Sequence, residues 1–473
     1  MHVIYLIGVA MMWIAVALAV VHVIIGNGQP AKTMAWVLVI IFLPLVGIVL
    51  YIFFGINHRR ERLVSQRQLD ELSKRSMLSF VEQPHLRVPD VHKPLVDLFV
   101  NQNLSLPFSG NTVDIMTDGY AYFPRLLHDL AAARHHIHID MYIFEDDSLG
   151  NLVADTLIDA ARRGVQVRVV YDDVGCWHVP RSFFERMREE GIEICPFLPV
   201  HFPTFTSKLN YRNHRKIIVI DGLVGYVGGM NIARRYVSAA WRDTMLRLHG
   251  PIVYALQRAF LVDWYFVDGT LITKRDYYPP MPEQTAAQAA ANLAQLVTSG
   301  PTNLYPEIMQ GYVRIILAAR RYVYIETPYF LPNEPVLFAI KTAAKAGVDV
   351  RIITPRRSDA RFIDWASRSY LREVHEAGVQ VLLYQAGFLH SKLMVCDDSL
   401  VTCGSTNVDF RSFENNFEAN AFIYDKGMAS RMRQVFLSDQ EQSVLLEQLT
   451  HRVRPPFKKR LWESLTRLLS PLL

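Results

Sequence analysis

Whole segments of this chain occur twice, in the same order and at a nearly constant separation, which limits the fold to two copies of one unit. Ala132-Ala133-Arg134-His135-His136-Ile137-His138-Ile139-Asp140-Met141-Tyr142-Ile143-Phe144 reads like Ala318 through Phe330, an offset of 186. Ala161 through Val169 reads like Ala344 through Ile352, now offset by 183. Each match is a helix end running into a β-rich strand, the second with a glycine at the helix C-terminus. Strands alternating with helices at this spacing indicate α/β layers. A slowly drifting offset is what loop insertions leave in a doubled ancestral unit. The seam falls at Tyr277-Tyr278-Pro279-Pro280-Met281-Pro282 and the alanine-rich stretch to Ala294. The expected units are therefore 108–282 and 293–445, two similar α/β domains facing each other.

A third matching segment carries the chemistry. The first copy runs from His214-Arg215-Lys216 to Asp221, then Gly228-Gly229-Met230-Asn231; the second from His390-Ser391-Lys392 to Asp397, then Gly404-Ser405-Thr406-Asn407. Both follow HxKxxxxD, six residues, then G(G/S)xN. One HxK is common by chance; two at corresponding places in a duplicated chain are not. His and Lys two apart on a strand project to the same face. The aspartate lies about 16 Å further along an extended strand, at about 3.3 Å per residue, out of reach of the atom that His and Lys touch. Asp221-Gly222 suits a hairpin turn that brings Gly228, Gly229 and Asn231 back beside His214. The aspartates thus read as structural, the glycines as permitting close backbone approach, and Asn231 as a hydrogen-bond donor.

Two histidines, two lysines and two asparagines around one point suit a phosphodiester, whose anionic oxygens need cationic and amide donors. With ordinary pKa values near about 6.5, two imidazoles divide the work. One attacks while neutral; the other, protonated, serves the leaving alcohol and then acts as base on the incoming one. Each needs a carboxylate to hold its second nitrogen. Asp243 lies 29 residues after His214 and Glu418 lies 28 after His390, so the repeat nominates one carboxylate per histidine. No cofactor or metal is expected: there is no HExxH or Cys/His ligand spacing, and His128, His135, His136 and His138 read as surface or core residues. The four cysteines contain no CxxC and read as reduced thiols.

The paired motifs resemble those of the phospholipase D superfamily, and nearly the whole chain is similar to the bacterial cardiolipin synthases of that type. Met34-Ala35-Trp36-Val37-Leu38, Leu43-Pro44-Leu45-Val46-Gly47 and Trp365-Ala366-Ser367-Arg368 carry the narrower likeness. The resemblance implies two phospholipase D-like α/β sandwich domains sharing one active site and a phosphohistidine intermediate. It also implies transfer of a phosphatidyl group from one phosphatidylglycerol to another, releasing glycerol. By motif, the catalytic positions are His214, Lys216, Asp221, His390, Lys392 and Asp397, with Asn231 and Asn407 lining the phosphate site. A purely hydrolytic phospholipase, or a transferase using another donor or acceptor such as phosphatidylethanolamine, would use the same residues.

The ends of the chain point to a membrane. Val3–Ile25 and Met34–Phe54 are uncharged, apolar and each long enough to span about 30 Å of hydrocarbon, with a turn sequence between them. They read as a two-helix transmembrane hairpin within 1–57. A basic linker, 58–107, follows, with six bases against three acids from Arg59 to Arg75. The asymmetry of bases places the body in the cytoplasm, at the bacterial inner membrane. Residues 446–473 read as a basic amphipathic tail, with Phe457, Leu461, Trp462, Leu465, Leu468 and Leu469 interleaved with bases. The net charge of +5 therefore divides into basic ends around a body, 76–450, of about −4. That layout suits an anionic phospholipid at a membrane and argues against nucleic acid, which needs a basic cleft. The apolar stretch Pro196–Phe205 beside the first motif is a candidate lipid-entry lip.

Overall fold

The computed structural model describes residues 2–26, 30–55, 71–74, 86–199, 210–281, 292–449, 456–468 and 470. In the first half the strands are β1 (Thr112–Met116), β2 (His136–Met141), β3 (Gln166–Asp172), β4 (Glu193–Phe197), β5 (Arg212–Asn213), β6 (Lys216–Ile220), β7 (Val224–Gly228), β8 (Trp241–Arg242) and β9 (Met245–His249). Seven of them form one sheet in the order β1-β9-β7-β6-β2-β3-β4. The second half supplies β10 (Leu293–Ser299), β11 (Tyr322–Glu326), β12 (Phe330–Leu331), β13 (Asp349–Pro355), β14 (Gln380–Tyr384), β15 (Phe388–Leu389), β16 (Leu393–Cys396), β17 (Leu400–Gly404), β18 (Val408–Asp409), β19 (Asn416–Tyr424) and β20 (Ser443–Leu445). Its sheet runs β10-β19-β17-β16-β11-β13-β14-β20, with β5 of the first half added on β19. Strand for strand the orders coincide, β20 being the addition, so the repeated sequence is a repeated topology.

The strands are apolar on both faces, as buried strands must be. Ile217 and Val219 of β6 join one core while Ile218 and Ile220 join another, and Leu393 and Val395 of β16 alternate likewise with Met394 and Cys396.

At the N-terminus, α1 (His2–Ile25) is, among the described residues, the one helix long and apolar enough to cross a membrane. The second apolar run, expected as a single span, is divided into α2 (Pro30–Phe42) and α3 (Pro44–Phe54). Pro44 has no N–H to continue α2 and instead takes the first position of the next helix. Val16, Val23, Ile40 and Tyr51 pack the three helices together.

Most of the basic segment Arg59–Arg75 lies outside the described residues. The expected linker nevertheless contains α4 (Lys93–Asn103), which buries Leu95, Val96 and Phe99 against the second half. Its i, i+1, i+4 apolar spacing makes it a core helix. Helices α5 (Gly119–Ala132), α6 (Ser148–Arg162) and α7 (Arg181–Glu189) cover the outer face of the first sheet. Asp118 caps α5 and Asp147 caps α6 through side-chain oxygens.

Next, α8 (Ile252–Asp268) packs between the halves, and α9 (Glu307–Ala318), α10 (Glu334–Lys345) and α11 (Arg361–Glu376) cover the second sheet. α12 (Phe410–Glu414) follows the second motif, and α13 (Lys426–Glu441) joins α8 in the inter-half core, where both sheets and both helices share one cluster of apolar side chains. The expected tail contains α14 (Phe457–Leu468).

At the seam, Tyr277 and Tyr278 are buried, and 282–291 lie outside the described residues. Of the expected lipid-entry lip, 200–205 lie outside them too; Phe197, near its start, is a core residue packed between Phe266 and Phe417.

Candidate functional site

Each histidine sits where the chain changes partner. β5 ends at Asn213 and β6 begins at Lys216; β15 ends at Leu389 and β16 begins at Leu393. His214 and His390 therefore lie in breaks, not within one continuous strand as the motif spacing suggests. Before the break the chain pairs in parallel with the other half: Arg212 and Asn213 with Asn416 and Phe417, and reciprocally Phe388 and Leu389 with Trp241 and Arg242. After it the chain returns to its own sheet, β6 on β2 and β16 on β11. One strand cannot lie in both sheets, so it must break between them.

This exchange places the carboxylates. The His214 amide donates to the Phe417 carbonyl at 2.9 Å, and the next residue is Glu418; the His390 amide donates to the Arg242 carbonyl at 2.7 Å, and the next residue is Asp243. His214 Nδ1 lies 3.0 and 3.1 Å from the Glu418 oxygens, and His390 Nδ1 lies 2.7 Å from Asp243 Oδ2. The spacing of the repeat pairs each carboxylate with the histidine of its own half; in the fold each lies instead against the histidine of the other half. An ionised carboxylate can only accept, so each Nδ1 carries the proton and each Nε2 keeps its lone pair.

The lysines lie alongside. Lys216 Nζ donates to the His214 carbonyl at 2.6 Å and stands 4.9 Å from the centre of the Tyr142 ring, which also meets the His214 ring edge-on at 4.8 Å. Lys392 Nζ lies 2.8 Å from His390 Nδ1 and donates to the His390 carbonyl. Thr244 and Ser391 join the halves through their hydroxyls at 2.8 Å. Arg242 reaches Asp439 of the second half at 2.7 Å, and Arg215 donates to the Glu418 carbonyl at 3.1 Å.

All six ionisable groups are buried, and that shifts them. Burial lowers His214 to about 4 against the opposing pull of Glu418, and lowers His390 to about 3, with Lys392 adding to the effect. The expectation of two imidazoles with ordinary pKa values is thus corrected: both are neutral at pH 7. Burial also brings Lys216 down to about 7 and Lys392 to about 8, with Glu418 and Asp243 respectively pulling the other way. Burial alone would raise the two carboxyls. Lysine charge and donated hydrogen bonds outweigh it, from Lys392 and the His390 ring at Asp243 and from the His214 ring, Lys216 and Ser405 at Glu418, and hold both below their usual range.

The other motif positions bond to backbone amides and neighbouring loops. Asp221 accepts from the backbone amides of Arg134, His135 and His136 at 2.8–3.0 Å, and Asp397 accepts from those of Arg320, Arg321 and Tyr322 at 2.7–2.9 Å. Both stand at positive φ in the β6–β7 and β16–β17 turns, a conformation aspartate tolerates. A Cβ at Gly229 would collide with the Asp243 carboxylate. In the second copy Ser405 takes that place, and its hydroxyl donates to Glu418. Asn231 accepts from the Ile143 amide at 3.1 Å and donates to the Tyr236 hydroxyl, while Asn407 donates to Asp409 at 3.1 Å. These bonds tie the asparagines to the loops around the site, and among the described residues the Asn407 Oδ1 atom is buried without a partner. His136 and His138 are core residues bridged by Gln257 at 2.9 and 2.8 Å.

Sequence reasoning did not single out Tyr142, Tyr236, Tyr329 or Trp241, whose rings lie within 6.5 Å of a histidine ring. The signal for two of them was present: Tyr142 and Tyr329 follow the equivalent strands β2 and β11.

Two outcomes follow from this geometry. Unfolded histidine titrates near about 6.5, so between that value and the lower folded pKa values the unfolded chain binds more protons. Stability must fall as pH drops below about 6.5. In detergent-solubilised protein, thermal unfolding from pH 7 to pH 5 should show that slope, with His390→Gln shallower by about 1.4 kcal/mol per pH unit. An unchanged slope would mean that His390 is charged at rest. Second, Asp221→Ala strands three amides and leaves alanine at positive φ, lowering stability by about 2–4 kcal/mol. Turnover per folded molecule should be unchanged; a loss of turnover at wild-type stability would give Asp221 a chemical role.

Comparisons with known proteins bear on the family and the fold. A family model described as cardiolipin synthase, PLD-like domain, matches residues 126–264 and 312–440, and one described as phospholipase D-nuclease N-terminal matches 14–55. The cardiolipin synthase of Geobacillus sp. strain WCH70 is 37% identical, covering 94% of this chain and 90% of that one. The major cardiolipin synthase of Bacillus subtilis strain 168 is 36% identical, covering 97% of each. Among solved structures, the phosphatidylserine synthase of Haemophilus influenzae has the same fold, with a TM-score of 0.62 at 14% identity over 80% of this chain and 99% of that one. With two matched repeats and over a third of its residues shared along nearly its full length, the chain belongs to the cardiolipin synthase family of phospholipase D-like proteins.

Proposed function

We propose that this protein is a cardiolipin synthase that moves a phosphatidyl group from one phosphatidylglycerol to the hydroxyl of another, releasing glycerol. The observation that carries the reading is the pair of neutral, carboxylate-anchored imidazoles, each with a lysine, held at one junction between the halves. The Nε2 lone pair of one histidine attacks phosphorus; the N–P bond forms as the bond to the glycerol oxygen breaks. The bound phosphodiester is anionic, so it raises the pKa of the second imidazole by the same Coulomb effect with which the lysines depress it. That imidazole, charged only when substrate is present, gives its proton to the departing glycerol. It then takes the proton of the incoming hydroxyl, whose oxygen displaces the first histidine from phosphorus. Lys216 and Lys392 gain charge in the same way and offset the phosphoryl oxygens. His214, Lys216, His390 and Lys392 act on substrate, Asp243 and Glu418 orient the histidines, and Asn231, Asn407, Asp221 and Asp397 hold the loops.

The helices α1 to α3 anchor the protein in the bacterial inner membrane as a hairpin, with the broken second run completing the return. The bases after it place the catalytic halves on the cytoplasmic side.

Labelled phosphatidylglycerol given to the solubilised protein, without metal or nucleotide, should yield cardiolipin and free glycerol. Phosphatidic acid as the sole product would replace the synthase reading with a hydrolase. His214→Ala and His390→Ala should each lower turnover by about 10³-fold or more, and the variant that keeps the nucleophile should accumulate an acid-labile phosphoenzyme. Wild-type turnover in either variant would overturn the shared site.

A further inference from the structure

Helix α14 lies against α11 the wrong way round for an ordinary surface helix. Its buried residues are polar: Glu463 is 0% and Thr466 2% exposed. Glu463 pairs with Arg372, and Arg467 pairs with Glu373 at 2.7 Å while its guanidinium sits 4.0 Å from the centre of the Tyr370 ring. The apolar side, Phe457, Leu461, Trp462, Leu465 and Leu468, is 44–80% exposed and points away from the body. A helix docked for its hydrophobic energy would do the reverse.

The neighbouring helix extends the patch. Phe362 of α11 is 57% exposed and meets Trp365 edge-on at 5.5 Å, and Trp365 faces Trp462 at 6.5 Å. Exposed bases border it on both sides, Arg356, Arg357 and Arg361 before and within α11, and Lys458, Lys459 and Arg460 on α14. The surface also adjoins the site. Asp359, in the turn before α11, accepts from the Tyr329 hydroxyl at 2.9 Å, and the Tyr329 ring lies 6.5 Å from that of His390. On the same half, Lys32 of α2 pairs with Glu414 of α12 at 3.3 Å, just beyond the second motif.

We propose that α11 and the docked α14 form a platform that inserts Phe362, Trp462, Leu465 and their neighbours into an anionic bilayer, bringing the site entrance to the lipid surface. Tryptophan and phenylalanine above a basic rim match the headgroup boundary of such a bilayer. A second copy of this face is a poor occupant, because self-pairing would set one basic rim against another. The inference rests on the reading of the chain as a membrane enzyme acting on lipid, but its test is separate from catalysis.

The full chain, with half-buried Cys195 replaced by Ser and a single new cysteine at Leu465→Cys, is labelled with an environment-sensitive fluorophore and reconstituted into phosphatidylcholine–phosphatidylserine vesicles. The control carries the label at Leu152→Cys, exposed on α6 of the first half. Lipids brominated along the acyl chain should quench the label at 465 roughly threefold or more beyond the control, and less in pure phosphatidylcholine. Equal quenching at both sites overturns the platform, and a shift that grows with protein density without quenching assigns the face to self-association. Independently, Trp462→Ser with Leu465→Ser should lower turnover on bilayer phosphatidylglycerol roughly tenfold while sparing short-chain monomeric substrate. Loss on both substrates would reject the platform, whereas a protein that makes no cardiolipin yet shows the quenching would reject the proposed activity alone.

Discussion

The exchange of short strands between the halves is the constraint on which the site depends. Two parallel bridges, β5 on β19 and β15 on β8, carry each histidine across the interface and stop one residue short of the other half's carboxylate. Parallel pairing fixes register, so the residue after each bridge faces its counterpart without any search by flexible side chains. Neither half owns a complete histidine–carboxylate pair. A single unit would leave a buried carboxylate without its imidazole, which costs more than the pair gains.

The same burial sets the chemistry. Two lysines and two histidines lie together with the carboxylates of Asp243 and Glu418, and desolvation disfavours every charge among them. Burial holds both imidazoles neutral and brings both lysines down toward neutrality. In the proposed transfer the anionic substrate would supply the field that switches one histidine from base to acid, with no preset difference required between the two.

The differences between the two copies follow from the same geometry. Where the first half uses the shorter aspartate, Gly229 leaves it room; where the second uses glutamate, Ser405 adds a hydroxyl that fixes it. Pro44 shows a local rule overriding composition at the membrane end, since an unbroken apolar run still yields two helices.

The repeat, its strand and helix content, and the stretches that hold the two motifs and the two carboxylates were legible in the sequence, because each is a local pattern or a similarity between two stretches of one chain. The sequence also identified Asp221 and Asp397 as turn residues, since strand length alone removes them from the histidines. Which carboxylate lies against which histidine, what the asparagines bond to, and the outward turn of the apolar side of α14 came from the fold. Those outcomes depend on strand exchange and on which face a helix finds covered, and neither is encoded in spacing along a single segment. The imidazole pKa values belong to the same class: a histidine's charge is set by what surrounds it, and here most of those surroundings come from the other half of the chain.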